Sequence, residues 1–181
     1  MPKITLKKLH LILIAGHVGS GKTHLAKKLA KKINCLRIDK DIIDDSFTTS
    51  RLSNLYQSAA RPYIHKIMYN LAESNLSDNT SVIIDAPYTK AEKYLNNPTW
   101  LKLIKNIAKK HKATIKLIWC TADNKTRQHR ILKRNHERDQ ERKDQFKRYV
   151  GAGHLIPIPF KHLLFDSTKD SLNKVIKFLA D

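Results

Sequence analysis

Cysteine and histidine offer little to a metal centre in this chain. The two cysteines, Cys35 and Cys120, form no ligand pattern, and both lie at or near predicted strands, so we expect buried, reduced thiols. The nine histidines show no metal-ligand spacing either. We expect His10, which lies inside an apolar run, to be a satisfied residue of the core or of the sheet edge.

Long apolar runs are missing as well, and no stretch is long enough to span a membrane. Lys3, Lys7 and Lys8 precede a short apolar run at 9–15, as the charged start of a signal peptide would. That run leads directly into a glycine-containing loop that cleavage would destroy. We therefore expect a cytoplasmic protein with no membrane association.

Acidic residues are few, because 16 Asp and Glu stand against 35 Lys and Arg. The formal net charge of +19 and the pI of about 10.0 fit a polyanionic partner such as nucleic acid. A lysine-rich, solvated surface explains the charge equally well, since the lysines are spread along the chain and no aromatic-basic RNA motif occurs. With 181 residues, of which 41% are hydrophobic, we expect one globular domain over 1–181.

Three of the five glycines fall in one octapeptide, GHVGSGKT at 16–23. Its spacing, G-x-x-x-x-G-K-T, is typical of a phosphate-binding loop between a buried strand and a helix. The glycines allow a tight turn whose N–H groups bind phosphate, Lys22 adds a charge at the β- and γ-phosphates, and Thr23 can ligate Mg²⁺. The residues predicted to bind the nucleotide here are Gly16, His17, Val18, Gly19, Ser20, Gly21, Lys22, Thr23 and His24.

Carboxylates end two further predicted strands. The strand at 35–38 leads into Asp39 and Asp41, and the strand at 81–85 ends in Asp85. Ligands of open α/β sheets lie beyond the carboxyl ends of the strands, so these acids should face the nucleotide's phosphates. We predict that Asp85, together with Thr23, holds Mg²⁺ directly or through water.

The remaining segments continue an alternation of strands and helices. A long helix is predicted at about 55–76, with Pro62 kinking or breaking it, and Pro98 should begin another helix. Strands follow at 114–120 and 161–165, and Ser167 is predicted to cap the last helix. Five strands that alternate with helices predict an α/β fold with a mainly parallel sheet.

An arginine-rich region at 123–150 is predicted to form a lid. Arginine predominates between Arg127 and Arg142, whereas lysine predominates elsewhere. The planar arginine fork suits phosphate clamping and stacking on a base. A solvated helix with i, i+4 ion pairs, such as Glu137 with Arg134, explains about half of these charges equally well. Because Arg130 and Arg134 stand four residues apart, they should share one helix face.

The motifs together narrow the class of phosphate-loop protein. A guanine-selecting Asn-Lys-x-Asp is absent, and no Glu follows Asp85 to orient water for hydrolysis. The chain resembles the AAA-type P-loop kinase family, which includes polynucleotide 5′-kinase domains and is similar to chloramphenicol phosphotransferase, gluconate kinase and zeta-toxin kinases. The matching segments are GHVGSGKT at 16–23, RIDKD at 37–41, VIIDAP at 82–87 and RILKR at 130–134.

This resemblance implies a P-loop NTPase fold with sheet order 2-3-1-4-5, ATP and Mg²⁺ as cofactors, and a role for each matching residue. Asp41 matches the acid that accepts the proton of the substrate hydroxyl, and Asp39 is expected to assist it or to contact the water shell of the metal. Arg130 matches the arginine that packs on adenine, and Arg134 matches a lid arginine that reaches the transferring phosphoryl group. Where polynucleotide kinases carry an arginine for the acceptor phosphate, this chain has Asp44, and Arg51 or Arg61 could replace it.

The sequence therefore favours an ATP-dependent kinase acting on a hydroxyl of an unidentified acceptor: a small metabolite, a nucleotide or a nucleic acid end. The alternatives are a nucleotide-binding module associated with RNA or DNA without phosphotransfer, and a simple ATPase. No obligate protein partner is evident.

Overall fold

A five-stranded parallel sheet forms the centre of the molecule. The computed structural model describes residues 3–47, 56–88, 98–134, 146 and 161–181. The sheet order is β2-β3-β1-β4-β5, and every neighbouring pair is parallel. The strands are β1 (His10–Gly16), β2 (Leu36–Asp39), β3 (Val82–Asp85), β4 (Thr114–Thr121) and β5 (His162–Asp166). The predicted fold class and strand order are confirmed.

Helices cover both faces of this sheet. They are α1 (Lys22–Lys32), α2 (Lys40–Asp45), α3 (Arg61–Ser77), α4 (Pro98–Lys110), α5 (Asn124–Arg134) and α6 (Leu172–Ala180), and a π-helical turn at Tyr56–Ala60 precedes α3. Pro98 begins α4 as predicted.

Strand β1 is buried along its whole length and divides the core in two. Side chains alternate across a strand, so Leu11 and Leu13 pack in the layer that contains residues of α3 and α4. Ile12 and Ile14 pack in the other layer with α1 and α6. This burial on both faces fixes the end of β1, and with it the start of the glycine loop.

The helix predicted at about 55–76 is divided near Pro62, as expected. The π-helical turn ends at Ala60 and α3 begins at Arg61, which places Pro62 in the first turn of α3. The first N–H groups of a helix have no partner within it, so proline is tolerated there.

The prediction that Ser167 caps the last helix is wrong. Helix α6 begins at Leu172, with Ser171 as its N-cap. Residues 166–170 instead form a turn closed by their own carboxylates, since Asp170 Oδ2 accepts from the N–H of Asp166 at 2.8 Å. Ser and Asp readily make such local bonds in loops, and these compete with a helix start.

The expectations for His10 and Cys120 are confirmed, whereas Cys35 is only half-buried. His10 is buried, and its Nδ1 lies 2.6 Å from the carbonyl oxygen of Lys8. Both cysteines are free thiols, and burial raises the pKa of Cys35 to about 11 and that of Cys120 to about 12. Among the described helices, none has the length and apolar character needed to cross a membrane.

Candidate active site

Three glycines shape the loop between β1 and α1. Gly16, Gly19 and Gly21 have φ angles of +143°, +77° and +91°, which L side chains rarely adopt. Space is also limiting, because a Cβ on Gly16 would lie 2.4 Å from the carbonyl oxygen of Cys120. The loop therefore requires glycine at these positions for backbone reasons.

Arginines of α5 hold this loop from outside. The Arg127 side chain is 3% exposed, and its Nε donates to the carbonyl oxygen of Val18 at 3.1 Å. Arg130 Nη1 donates to the carbonyl oxygen of Gly19 at 3.1 Å and to Ser167 Oγ at 2.8 Å. In the sequence, Arg127 and Arg130 are members of one arginine series. Their environments differ, because Arg127 is buried and supports the loop.

A cavity of about 170 Å³ opens beside the loop. The residues lining it are Gly19, Gly21, Lys22, Thr23, His24, Arg130, Ile131 and Arg134. Burial lowers the pKa of His24, and the charges of Lys28, Arg130 and Lys27 lower it further. Most of the predicted nucleotide-binding residues therefore line one cationic cavity, while Gly16, His17, Val18 and Ser20 are not part of its lining.

The acidic strand ends meet beside the same loop. Asp39 and Asp85 are paired in register on β2 and β3. Arg37, on the same strand as Asp39, donates from Nη1 to Asp39 Oδ2 at 2.7 Å and to Asp85 Oδ2 at 3.3 Å. Sequence reasoning did not assign Arg37 to the site, although its i, i+2 spacing from Asp39 places both side chains on one face of β2.

Asp85 is a buried carboxyl with an unusual pKa. Burial is the main reason that its pKa rises from 3.8 to about 6; the charge of Asp39 raises it further, while Lys22, Thr23 and Arg37 lower it. Asp85 is 3% exposed, and its Oδ1 atom is buried without a hydrogen-bond partner in the described structure.

A second cavity, of about 360 Å³, lies on the acidic side of the loop. The residues lining it are Thr23, Lys27, Asp39, Asp41, Ile42, Asp45 and Arg134. Asp41 lies in the first turn of α2, and its N–H donates to Asp39 Oδ1 at 2.9 Å, so Asp39 caps the helix that carries Asp41. The two acids of the RIDKD motif thus face a cavity next to the phosphate loop.

Asp44, at the position of the polynucleotide kinase arginine, is buried and paired within the fold. It is 1% exposed, pairs with Lys40 Nζ, and accepts a hydrogen bond from the Tyr56 hydroxyl at 2.7 Å. Asp44 therefore anchors α2 to the π-helical turn. Arg51 and the lid beyond Arg134, apart from Phe146, lie outside the described residues, as does the side chain of Arg61.

The residues present fit Mg²⁺ bound with a nucleotide. The buried, unpartnered Asp85 Oδ1 and the Thr23 hydroxyl are hard oxygen ligands, and Mg²⁺ is commonly held by one or two such groups plus substrate phosphates. No cluster of three or more His, Cys, Asp or Glu suited to a metal occurs among the described residues. A site completed by phosphate oxygens suits this donor set better than a protein-only cage.

Comparison with known proteins identifies the family of this chain. The family model described as an AAA domain matches residues 11–151, which include the loop, both acidic strand ends and α5. The chain belongs to this AAA-domain family. No curated protein sequence matches it.

Solved structures share the fold of this AAA-domain protein. A candidate kinase from Chloroflexus aurantiacus has a TM-score of 0.74 at 18% identity, covering 96% of this chain and 97% of its own. Kti12 of Chaetomium thermophilum, in complex with ADP-AlF3, has a TM-score of 0.61 at 16% identity, with 93% and 95% covered. The Mycobacterium tuberculosis APS kinase, in complex with AMPPNP and APS, has a TM-score of 0.57 at 15% identity, with 99% and 100% covered. At these identities the likeness establishes a P-loop, kinase-like fold.

Proposed function

We propose that this AAA-domain protein is an ATP-dependent phosphotransferase that moves the γ-phosphoryl group to a hydroxyl. The acceptor oxygen forms a bond to the γ-phosphorus while the bond to the β,γ-bridging oxygen breaks. The products are ADP and a phosphate ester, and the hydroxyl proton passes to a carboxylate.

The adjacency of the two cavities carries this proposal. The loop cavity and the acidic cavity share two lining residues, Thr23 and Arg134. A triphosphate in the first would direct its terminal phosphate towards the second, where a hydroxyl could lie beside Asp41. A hydrolase would need no second cavity with a carboxylate at this point.

The charged groups have separate parts in the reaction. Transfer of a phosphoryl group develops charge on its outer oxygens, so cations placed around it are the main source of catalysis. Lys22 and Arg134 supply two such cations, and Arg130 lies where it can contact the base or the phosphates. Bound Mg²⁺ would neutralise phosphate charge, with Thr23 and Asp85 as its protein ligands.

Asp41 is the proposed proton acceptor, and Asp39 positions it. The hydrogen bond from the Asp41 N–H to Asp39 Oδ1 fixes the first turn of α2. Asp39 Oδ2 is already bound to Arg37. Asp39 therefore supports the reacting group, which agrees with the assisting role expected for it.

One observation favours a second candidate, a nucleotide-binding module associated with nucleic acid. His24, Lys27, Lys28 and Lys31 follow the i, i+3, i+4, i+7 pattern and are all exposed. Helix α1 contains no acidic residue. The three lysines of this stripe are cationic, and Lys27 lines the acidic cavity, so the stripe could bind the phosphates of a strand without any transfer.

A label-transfer assay separates these functions. γ-Labelled ATP is incubated with RNA, DNA and metabolite pools, and the label is followed. Label on an acceptor supports the kinase, label in free phosphate alone indicates an ATPase, and ATP binding without turnover indicates the binding module.

Two variants test the assigned roles. Lys22→Ala should lower transfer by about 10² to 10³, as loss of a transition-state cation does. Asp41→Asn should lower it by about 10² to 10⁴ with ATP affinity nearly unchanged. Glu73→Gln removes a carboxylate that pairs with Lys110 on the surface and serves as the control. Parental transfer by Asp41→Asn would show that Asp41 is not the base.

A further inference from the structure

Arg37 bridges the two carboxylates that end β2 and β3. A single guanidinium nitrogen, Nη1, contacts Asp39 Oδ2 and Asp85 Oδ2. The side chains are largely buried, with exposures of 16% for Arg37, 9% for Asp39 and 1% for Asp85. Screening by water is therefore weak, and the three charges act on one another strongly.

The pairing of β2 with β3 brings the carboxylates of Asp39 and Asp85 together, so the two need a counter-ion when both are charged. Asp39 and Asp85 are direct partners on neighbouring parallel strands, and like charges in such positions repel. A cation between them can be an arginine or a divalent metal. In this chain the place is taken by Arg37.

We propose that Arg37 is a resident counter-ion that keeps divalent cations out of the Asp39–Asp85 pair until a nucleotide supplies its phosphates. This inference rests on the proposed function, because it concerns the Mg²⁺ that accompanies ATP. Arg37 is thus a positioning residue, and it makes metal binding depend on nucleotide.

The hydrogen bonds made by the individual carboxylate oxygens of Asp39 and Asp85 support this role. Both oxygens of Asp39 are engaged, Oδ2 by Arg37 and Oδ1 by the N–H of Asp41. Asp85 uses Oδ2 for Arg37, and its Oδ1 remains buried and without a hydrogen-bond partner in the described structure. One carboxylate oxygen and the Thr23 hydroxyl bind Mg²⁺ only weakly, because the ion is reluctant to give up the water that fills its other octahedral positions. Phosphate oxygens complete the set, so the metal enters with the nucleotide.

Removing the arginine should create a metal site in the nucleotide-free protein. Arg37→Gln keeps a polar side chain of moderate length but removes the cation that contacts both carboxylates, so that the charge of Lys22 near Asp85 remains. At pH 8 we expect the nucleotide-free variant to bind Mn²⁺ about tenfold or more tightly than the parent, since the repelling charge is gone and two carboxylates are free to chelate.

The experiment measures free Mn²⁺ by electron paramagnetic resonance during titration of nucleotide-free protein. Melting with MgCl2 alone gives a second readout, in which Arg37→Gln should gain stability and the parent should not. Arg37→Lys retains the cation and should stay within about threefold of the parent. Arg37→Gln combined with Asp39→Asn removes one ligand and should lose the added affinity.

A matched control is Lys116→Gln. Lys116 is a half-buried strand cation on β4 that donates to the carbonyl oxygen of Phe178 at 2.9 Å, away from both acids. Its removal should leave Mn²⁺ affinity unchanged. An increase equal to that of Arg37→Gln would mean that net charge alone is responsible.

Two outcomes overturn the proposal. One is an Arg37→Gln protein that binds Mn²⁺ no more tightly than the parent. The other, which needs no variant to fold, is a parent protein that binds Mn²⁺ as tightly without ADP as with it. Neither measurement involves phosphotransfer, so a failed label-transfer assay would refute the kinase proposal and leave this result to be judged separately.

Discussion

Replacing Asp85 with asparagine should make the nucleotide-free protein more stable at alkaline pH. The Asp85 side chain is nearly inaccessible, and its pKa is raised from 3.8 to about 6, mainly by burial. A carboxyl with a raised pKa favours folding when protonated, so its contribution is complete below pH 3.8 and is lost as the pH rises through 6. Asparagine keeps the shape of the group and has no charge to bury.

The magnitude follows from the size of the pKa shift. A shift of about two units corresponds to about 3 kcal/mol, at 1.36 kcal/mol for each unit, and this is the full difference at pH 8. For a domain of this length, about 3 kcal/mol is equivalent to a rise in melting temperature of roughly 6 to 12 °C. Near pH 4, folded Asp85 and asparagine are both neutral, and the difference should fall below about 1 kcal/mol.

Urea unfolding in EDTA between pH 4 and pH 8 measures this effect as a difference between the two proteins. Asp166→Asn is the control, because hydrogen bonds from Thr168 lower the pKa of the half-buried Asp166 and its pH trend should have the opposite sign. A difference between Asp85→Asn and the parent that stays constant from pH 4 to pH 8 would refute the reasoning. With ADP and Mg²⁺ present the order should reverse, since asparagine is a poorer metal ligand than a carboxylate.

Two further substitutions test the supports of the site. Gly19→Ala would place a Cβ 2.7 Å from the carbonyl oxygen of Arg127 at a φ of +77°, so ADP affinity measured by calorimetry should fall, and unchanged affinity would mean that the loop tolerates displacement. Tyr56→Phe removes a hydrogen bond to the buried Asp44 carboxylate, and urea unfolding should show a loss of about 1.5 to 3 kcal/mol, whereas a loss below about 0.5 kcal/mol would mean that the other contacts of Asp44 suffice.

The sequence predicted the parts of the site that lie on one continuous stretch. The loop at 16–23 has fixed spacing because glycine, lysine and threonine each meet a local requirement, and all of these residues are adjacent in the chain. The buried strands were recognised because parallel strands carry nearly continuous apolar runs. The strand order came from the family resemblance, and the structure confirms it.

Contacts between residues that are far apart in the chain could not be predicted from the sequence in this way. Arg37 was quoted as part of a motif but was not assigned a role, because its partner Asp85 is 48 residues away and their contact depends on register. Ser167 was placed as a helix cap on local spacing, yet its hydroxyl is 2.8 Å from Arg130 Nη1, 37 residues earlier. Local sequence patterns do not predict contacts that form only when the chain is folded.

Asp44 shows why a resemblance should be transferred one residue at a time. The polynucleotide kinase position would carry an exposed arginine for an acceptor phosphate, whereas this chain buries a carboxylate there between Lys40 and Tyr56. The substitution changes more than one charge, because the side chain now ties α2 to the π-helical turn and so holds the helix that bears Asp41. An acceptor phosphate, if there is one, must be bound by other cations. Among the described residues, the cations that line the same cavity are Lys27 and Arg134, so substitution of these two side chains is the first test of whether an acceptor phosphate is bound there.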